Sequence, residues 1–259
     1  MDTISLSFKQ KVISFFVALK IFLIDFLFPI ECLSCGLEKV WLCTKCTRSI
    51  KLNSEQICLV CKKTNFFGQI CPECKSGSYL DGVMAATFYG DKIVEKLIKI
   101  LKYNFVTDLS ANIGELMNYS LRDLLNKSRL LGDDSPLILR EIENALLIPV
   151  PLHKRRERWR GFNQSKIIAE SIINYFNLTM DCDHLKRIKY KKAQARKDSA
   201  DRLENVLDCF VWQGESLAGK SVIIIDDVVT TGATLGECAR VLKQNGAQTV
   251  WGLCLARGC

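Results

Sequence analysis

Residues 222–234 read Val-Ile-Ile-Ile-Asp-Asp-Val-Val-Thr-Thr-Gly-Ala-Thr. Four apolar residues, 222–225, predict a short buried strand, and the carboxylates Asp226 and Asp227 are expected where that strand ends. A turn of small hydroxyl residues around Gly232 follows, and then a helical pattern begins. Two adjacent acids can accept hydrogen bonds from the vicinal hydroxyls of a ribose. Thr230, Thr231 and Thr234, with backbone N–H groups near Gly232, can wrap a phosphate at a helix N-terminus. A helix cap needs one such residue, not two acids and three threonines around a glycine. No GxxxxGK[ST] string occurs, which excludes a Walker-type nucleotide loop.

The second constraint is sulfur. Of thirteen cysteines, eight form four CxxC pairs in one block: Cys32/Cys35, Cys43/Cys46, Cys58/Cys61 and Cys71/Cys74. Each CxxC places two thiolates on one side of a tetrahedral zinc. A redox CxxC would be single and sit in a βαβ context. Two sites follow, one from Cys32, Cys35, Cys43 and Cys46, the other from Cys58, Cys61, Cys71 and Cys74; interleaved pairing also satisfies the spacing. With sulfur at every position, both zincs are structural. A metal worth roughly 10–16 kcal/mol lets so short a segment fold with little core. The remaining cysteines (Cys182, Cys209, Cys238, Cys254, Cys259) are expected to be buried small apolar residues. No secretory cleavage pattern is visible, so a reducing cytoplasm is expected.

Organisation along the chain follows from periodicity. Residues 12–28 are apolar, but Lys20 and Asp25 interrupt them, so no uncharged span of membrane length exists. Residues 1–29 read as an amphipathic helix that packs on the protein or docks on a membrane surface or partner. Residues 30–80 hold the double zinc ribbon. Residues 81–259 alternate strands (83–89, 146–150, 222–225, 249–255) with helices (92–102, 109–131, 165–176, 232–244). That order predicts an α/β fold, a parallel sheet with flanking helices. Ligands of such sheets bind beyond the carboxyl ends of the strands, where Asp226 and Asp227 are expected.

Positive charge is concentrated in two segments. Residues 153–166 and 186–197 carry thirteen basic side chains and one acid, Glu157, a local balance of +12 within a chain of net +8. The first reads as a pyrophosphate-binding loop after a core strand, with Arg155, Arg156 and Arg160 as forks for phosphate oxygens and Asn163 capping the next helix. His153 is either an incidental loop residue or a base. The second segment suits a lid over the ligand or a tract along a nucleic-acid backbone. Its one aromatic, Tyr190, and Trp159 of the first segment are candidates for base stacking.

The stretch 222–234 resembles the phosphoribosyl-pyrophosphate (PRPP) signature of type I phosphoribosyltransferases. Together with the tandem cysteine block, a PVP strand and the RxRWRGFNQ string, it resembles the competence protein F (ComF) family from about residue 28 to 255. The resemblance implies a type I phosphoribosyltransferase-like sheet behind the zinc ribbons. It implies Asp226 and Asp227 on the ribose hydroxyls as the catalytic pair. Val228, Val229, Thr230, Thr231, Gly232, Ala233 and Thr234 complete the PRPP-binding loop, and Mg²⁺ accompanies PRPP. Gln194, Arg202 and Asn205 match the family's lid, although Lys191 and Lys197 stand where the family usually has Thr and Leu. Family members are linked to natural transformation and imported single-stranded DNA, which brings a DNA-uptake helicase and other competence proteins into view as partners. Two other functions stay open: an active phosphoribosyltransferase of nucleotide metabolism or salvage, and a zinc-ribbon adaptor with a non-catalytic sugar-phosphate site.

Overall fold

A computed structural model describes residues 30–103, 109–131, 144–176, 178–190 and 206–258. The N-terminal helix read over 1–29, the lid residues Gln194, Arg202 and Asn205, and Cys259 lie outside the described residues. The chain divides into two compact units, 1–47 and 48–259. The boundary falls between the two four-cysteine groups, inside the segment read as a double ribbon.

In the first unit, the described backbone makes a turn at Cys32–Gly36, where the Gly36 N–H donates to the Cys32 carbonyl, and then enters helix α1 (Thr44–Ser49), which runs across the boundary. The second unit opens on a small antiparallel pair, β1 (Gln56–Ile57) with β2 (Thr64–Asn65), and a 3₁₀ turn at Pro72–Gly77. The turn at Cys58–Lys62 repeats the earlier one: the Lys62 N–H donates to the Cys58 carbonyl, and Lys62 and Gly36 both have left-handed φ. The internal repeat of the cysteine spacing is thus a repeat of backbone conformation.

The rest of the second unit is an α/β sheet. Five parallel strands lie in the order β3 (Gly82–Phe88), β9 (Thr249–Arg257), β8 (Ser221–Val229), β4 (Leu146–Pro149), β5 (Thr179–Met180). Helices α2 (Lys92–Tyr103), α3 (Leu109–Leu131), α4 (Lys154–Arg160), α5 (Gln164–Phe176) and α6 (Ala233–Gln244) join and flank them. A separate antiparallel pair, β6 (Leu185–Arg187) with β7 (Phe210–Trp212), stands outside the sheet.

The sequence explains this layering. Central strands of a parallel sheet are covered on both faces and need unbroken apolar runs; Val222, Ile223, Ile224 and Ile225 are all fully buried. Helix α3 buries Leu109, Ile113, Leu116, Met117, Leu121 and Leu124, spacings of three and four that make one apolar stripe. It packs on α5. Gly114 permits the crossing, because a Cβ there would lie 2.8 Å from the Ser171 carbonyl oxygen of α5. Cys209, Cys238 and Cys254 are buried as expected, and Cys182 is half-buried. No helix among the described residues is long and apolar enough to cross a membrane.

Two expectations are corrected. The strand read over 222–225 does not stop before the acids; β8 runs on to Val229. Its neighbour β9 extends to Arg257 and keeps pairing, with Asp226 opposite Cys254 and Val229 opposite Arg257. On the other side β4 stops at Pro149, opposite Ile225. The acids therefore begin at the residue where β4 peels away, on a strand still held from one side. The segment after β4 is also not a plain loop. Residues 154–160 form helix α4, with His153 as its N-cap.

Candidate ligand site and cysteine centres

The crevice left by β4 holds the acidic pair. Asp226 Oδ1 accepts from the Ser165 hydroxyl at 3.0 Å and from the Asp227 backbone N–H at 2.9 Å. Asp227 Oδ1 accepts from the Val228 N–H at 3.0 Å. Asp227 Oδ2 lies 2.6 Å from Lys102 Nζ, at the end of α2, in an ion pair defined by proximity rather than by a directed hydrogen bond. Asp227 is 5% exposed, and Asp226 keeps a partly open edge.

The pair is electrostatically uneven. Burial, reinforced by the charge of Asp227, pushes the Asp226 carboxyl from its usual 3.8 up to about 7, against the hydrogen bonds from the Asp227 N–H and Ser165. Near neutral pH this carboxyl is therefore close to its titration midpoint.

Ser165 and Lys102 are contributors that pattern reading passed over. Ser165 is delivered by the RGFNQ string. The Asn163 side chain donates to the Val150 carbonyl at 3.0 Å and accepts from the Ser165 N–H at 3.0 Å. It caps α5 as expected and ties the exit of β4 to that helix, leaving the Ser165 hydroxyl facing Asp226. Serine two residues after a cap was the available signal. For Lys102 there was none, since a lysine at the end of an amphipathic helix reads as solvated surface.

Beyond Val229 the chain makes the loop read as a phosphate cradle. Thr230, Thr231, Gly232, Ala233 and Thr234 are all half-buried. Gly232 caps α6 with φ 77°, and Thr231 Oγ1 accepts from the Ala233 N–H at 3.4 Å. Leu59, between Cys58 and Cys61, packs on Gly232.

The three arginines expected near pyrophosphate part company. Arg155 is exposed and its guanidinium lies 5.2 Å from the Tyr190 ring centre; Arg156 is half-buried. Arg160 is 6% exposed and donates to Gln164 Oε1 at 2.5 Å, inside the protein. His153 Nδ1 accepts from the Arg155 N–H at 3.2 Å, so this nitrogen caps α4. A cleft of about 640 Å³ opens beside α4, and its lining includes His153, Lys154, Arg158, Lys166, Lys186 and Arg187. Trp159 projects from α4, 72% exposed.

A cation held directly by the acidic pair does not fit these residues. One oxygen of Asp226 and one of Asp227 already take backbone or hydroxyl donors, and the ammonium of Lys102 lies against another. Mg²⁺ needs near-octahedral oxygen at about 2.0–2.1 Å, which here would mean displacing the lysine. Hydroxyl donors can join the same carboxylates without displacing anything, since each carboxylate offers about four acceptor positions.

The cysteines do fit zinc. The sulfurs of Cys32, Cys35, Cys43 and Cys46 lie within 4.8 Å of one another, as do those of Cys58, Cys61 and Cys74. Cys71 lies beside the second group, 3.7 Å from Cys61, and Cys35 and Cys43 are 3.8 Å apart. A tetrahedron with Zn–S near 2.3 Å has edges of about 3.8 Å. Burial works against ionising Cys32 and Cys58, but backbone N–H donors outweigh it. Both thiols are lowered to about 6, helped by the N–H of Cys43 in one group and of Cys71 in the other.

Residues 164–258 match the phosphoribosyl transferase domain family. The chain is 28% identical over 232 residues to DNA utilization protein YhgH of Shigella flexneri, covering 83% of this chain and 96% of that protein. It is 25% identical over 239 residues to competence protein F of Haemophilus influenzae, covering 88% and 98%. With competence protein ComFC of Bacillus subtilis it shares 29% identity over 218 residues, covering 81% and 80%.

Proposed function

The chain belongs to the competence protein F family, and from that premise we propose that its sheet unit binds PRPP or a related phosphoribosyl ligand while the protein handles imported single-stranded DNA in the cytoplasm. The observation that carries the ligand half is the position of Asp226 and Asp227, where β4 peels from β8, a few residues before the loop at Thr230–Thr234. The ribose hydroxyls donate to the two carboxylates. The 5-phosphate sits in the loop, against N–H groups at the start of α6 and the threonine hydroxyls. The diphosphate extends toward the basic side chains beside α4, and Mg²⁺, held by the diphosphate rather than by the acids, would offset its charge.

The DNA half draws on the names of the relatives and on the surface around α4. Lys154, Arg155 and Arg158 are exposed there beside Trp159, and Tyr190 lies against Arg155. Basic side chains that track phosphates, interleaved with aromatic faces for bases, are how single strands are held without sequence preference.

The test is thermal denaturation with millimolar PRPP and Mg²⁺. A ligand that binds only the native state raises the melting temperature, and the shift should vanish in Asp227→Ala. No shift in the parent protein, or an equal shift in the variant, refutes the site. A second reading, turnover as a phosphoribosyltransferase, is favoured by Asp226, whose carboxyl titrates near pH 7. Consumption of PRPP with a panel of nitrogen bases, with and without single-stranded DNA, decides between binding and turnover.

A further inference from the structure

Lys102 is placed to do more than fill a salt bridge. It sits in the last turn of α2, about 125 positions from the acids in sequence, yet its Nζ lies 2.6 Å from Asp227 Oδ2. The side chain of Asp227 is 7% exposed and that of Lys102 27%, so the ion pair is largely shielded from water, while Asp226 keeps its open edge. Among the described residues, the other partners of the pair are neutral donors: the Ser165 hydroxyl and the N–H groups of Asp227 and Val228. Two adjacent carboxylates in a partly dry crevice are the usual setting for a divalent cation, and here a side-chain cation stands in that setting.

The physical consequence is competition. A divalent ion drawn to Asp227 would have to displace the ammonium or sit a few ångströms from it. In a crevice of lowered dielectric that repulsion is large. We propose that Lys102 is the resident cation of the ligand site: it holds the Asp227 carboxylate in place, and it keeps free divalent metal off the acidic pair. Metal then enters only as part of a metal–diphosphate ligand. This last step rests on the phosphoribosyl reading; the exclusion of free metal does not. The raised Asp226 carboxyl agrees with this picture, since one ammonium then balances a pair carrying less than its full double charge.

The experiment is a titration of the zinc-loaded protein with Mn²⁺ alone, followed by electron paramagnetic resonance, with no phosphoribosyl ligand present. The parent should take up no Mn²⁺ at this pair. Lys102→Met, which keeps the length and removes the charge, should gain one site at least roughly tenfold tighter than any in the parent. Lys102→Met combined with Asp227→Asn should lose it again. Lys102→Arg keeps the cation and should exclude Mn²⁺ as the parent does. If Lys102→Met does not fold, Lys102→Gln serves in its place. Equal Mn²⁺ uptake by the parent and the neutral variant overturns the proposal, as does a gained site that survives Asp227→Asn. PRPP binding by the same proteins is read separately. If PRPP binds none of them while Mn²⁺ discriminates, the phosphoribosyl reading falls and the role of Lys102 as resident cation stands.

Discussion

Leu59 and Gly232 touch so closely that a Cβ on the glycine would lie 2.1 Å from Leu59 Cδ2. Leu59 belongs to the turn between Cys58 and Cys61, and Gly232 caps the helix that follows the acidic strand. A turn of the second cysteine group and a candidate phosphate loop are thus in direct contact within one compact unit. Gly232 is required twice over, by its left-handed φ of 77° and by this contact.

Gly232→Ala should destabilise the protein by about 1–3 kcal/mol from backbone strain alone, with overpacking against Leu59 added. Leu59→Ala makes room for the new methyl but leaves the φ unchanged. The double variant should therefore be more stable than the sum of the single losses implies, by about 0.5–3 kcal/mol. Urea unfolding of the four proteins measures this, and strict additivity would show that the contact carries no energy.

Metal analysis should return two zinc ions per chain, and Cys61→Ser should lower the count by one. Because Leu59 stands on the turn that Cys61 helps to close, the same variant should bind PRPP more weakly than the parent. The comparison is the ligand-induced shift in melting temperature, not the melting temperature itself, which falls with any loss of structural metal. A Cys61→Ser protein with one zinc and an unchanged ligand shift would separate the turn from the loop.

Helix α3 was legible to the residue, because a stripe of apolar positions over 109–131 has no competing period. The acid pair was legible as a pair but misplaced at a strand end. What extends β8 past it is the length of β9, a partner whose register no local pattern contains. Arg160 and Arg155 looked alike, five positions apart in one basic run. Burial separates them, and it is decided by how α4 and α5 meet at Gln164. Lys102 was invisible because its meaning comes from a carboxylate across the fold. Periodicity reports which face of an element is inside; it does not report which element stands opposite.

Arg160→Ala should cost about 1.5–3 kcal/mol, as expected for losing a hydrogen bond made by a buried charged group. Arg155→Ala and Arg158→Ala, at exposed positions, should stay within about 0.5 kcal/mol. Binding to single-stranded DNA should invert the order. Each lost phosphate contact flattens the salt dependence by roughly 0.7, so the two surface variants should change it and Trp159→Ala should weaken binding with little change in slope. Fluorescence anisotropy across a salt series checks this. An unchanged slope in the Arg155→Ala, Arg158→Ala double variant would remove α4 from the DNA surface.

Asp226 makes stability depend on pH in an unusual direction for a carboxylate. Its native value is raised from 3.8 to about 7, by burial first and by Asp227 second. Between those values the native state binds more protons at this position than the unfolded state, so stability falls as pH rises. The contribution is fully present below about pH 4 and is lost as pH passes through about 7. Other acids oppose this trend: Asp81 and Asp181 are held below the usual range by their partners despite burial, and they cost stability as pH falls. The readout is therefore the difference between the parent and Asp226→Asn, which has no proton to lose. Their gap in melting temperature should move in favour of the asparagine variant as pH rises from 5 to 8, the window that brackets the raised Asp226 carboxyl. Ser165→Ala removes a donor that favours the ionised form, so it should carry the parent's transition to higher pH. A gap that stays constant across the window would mean that the Asp226 carboxyl is ionised throughout.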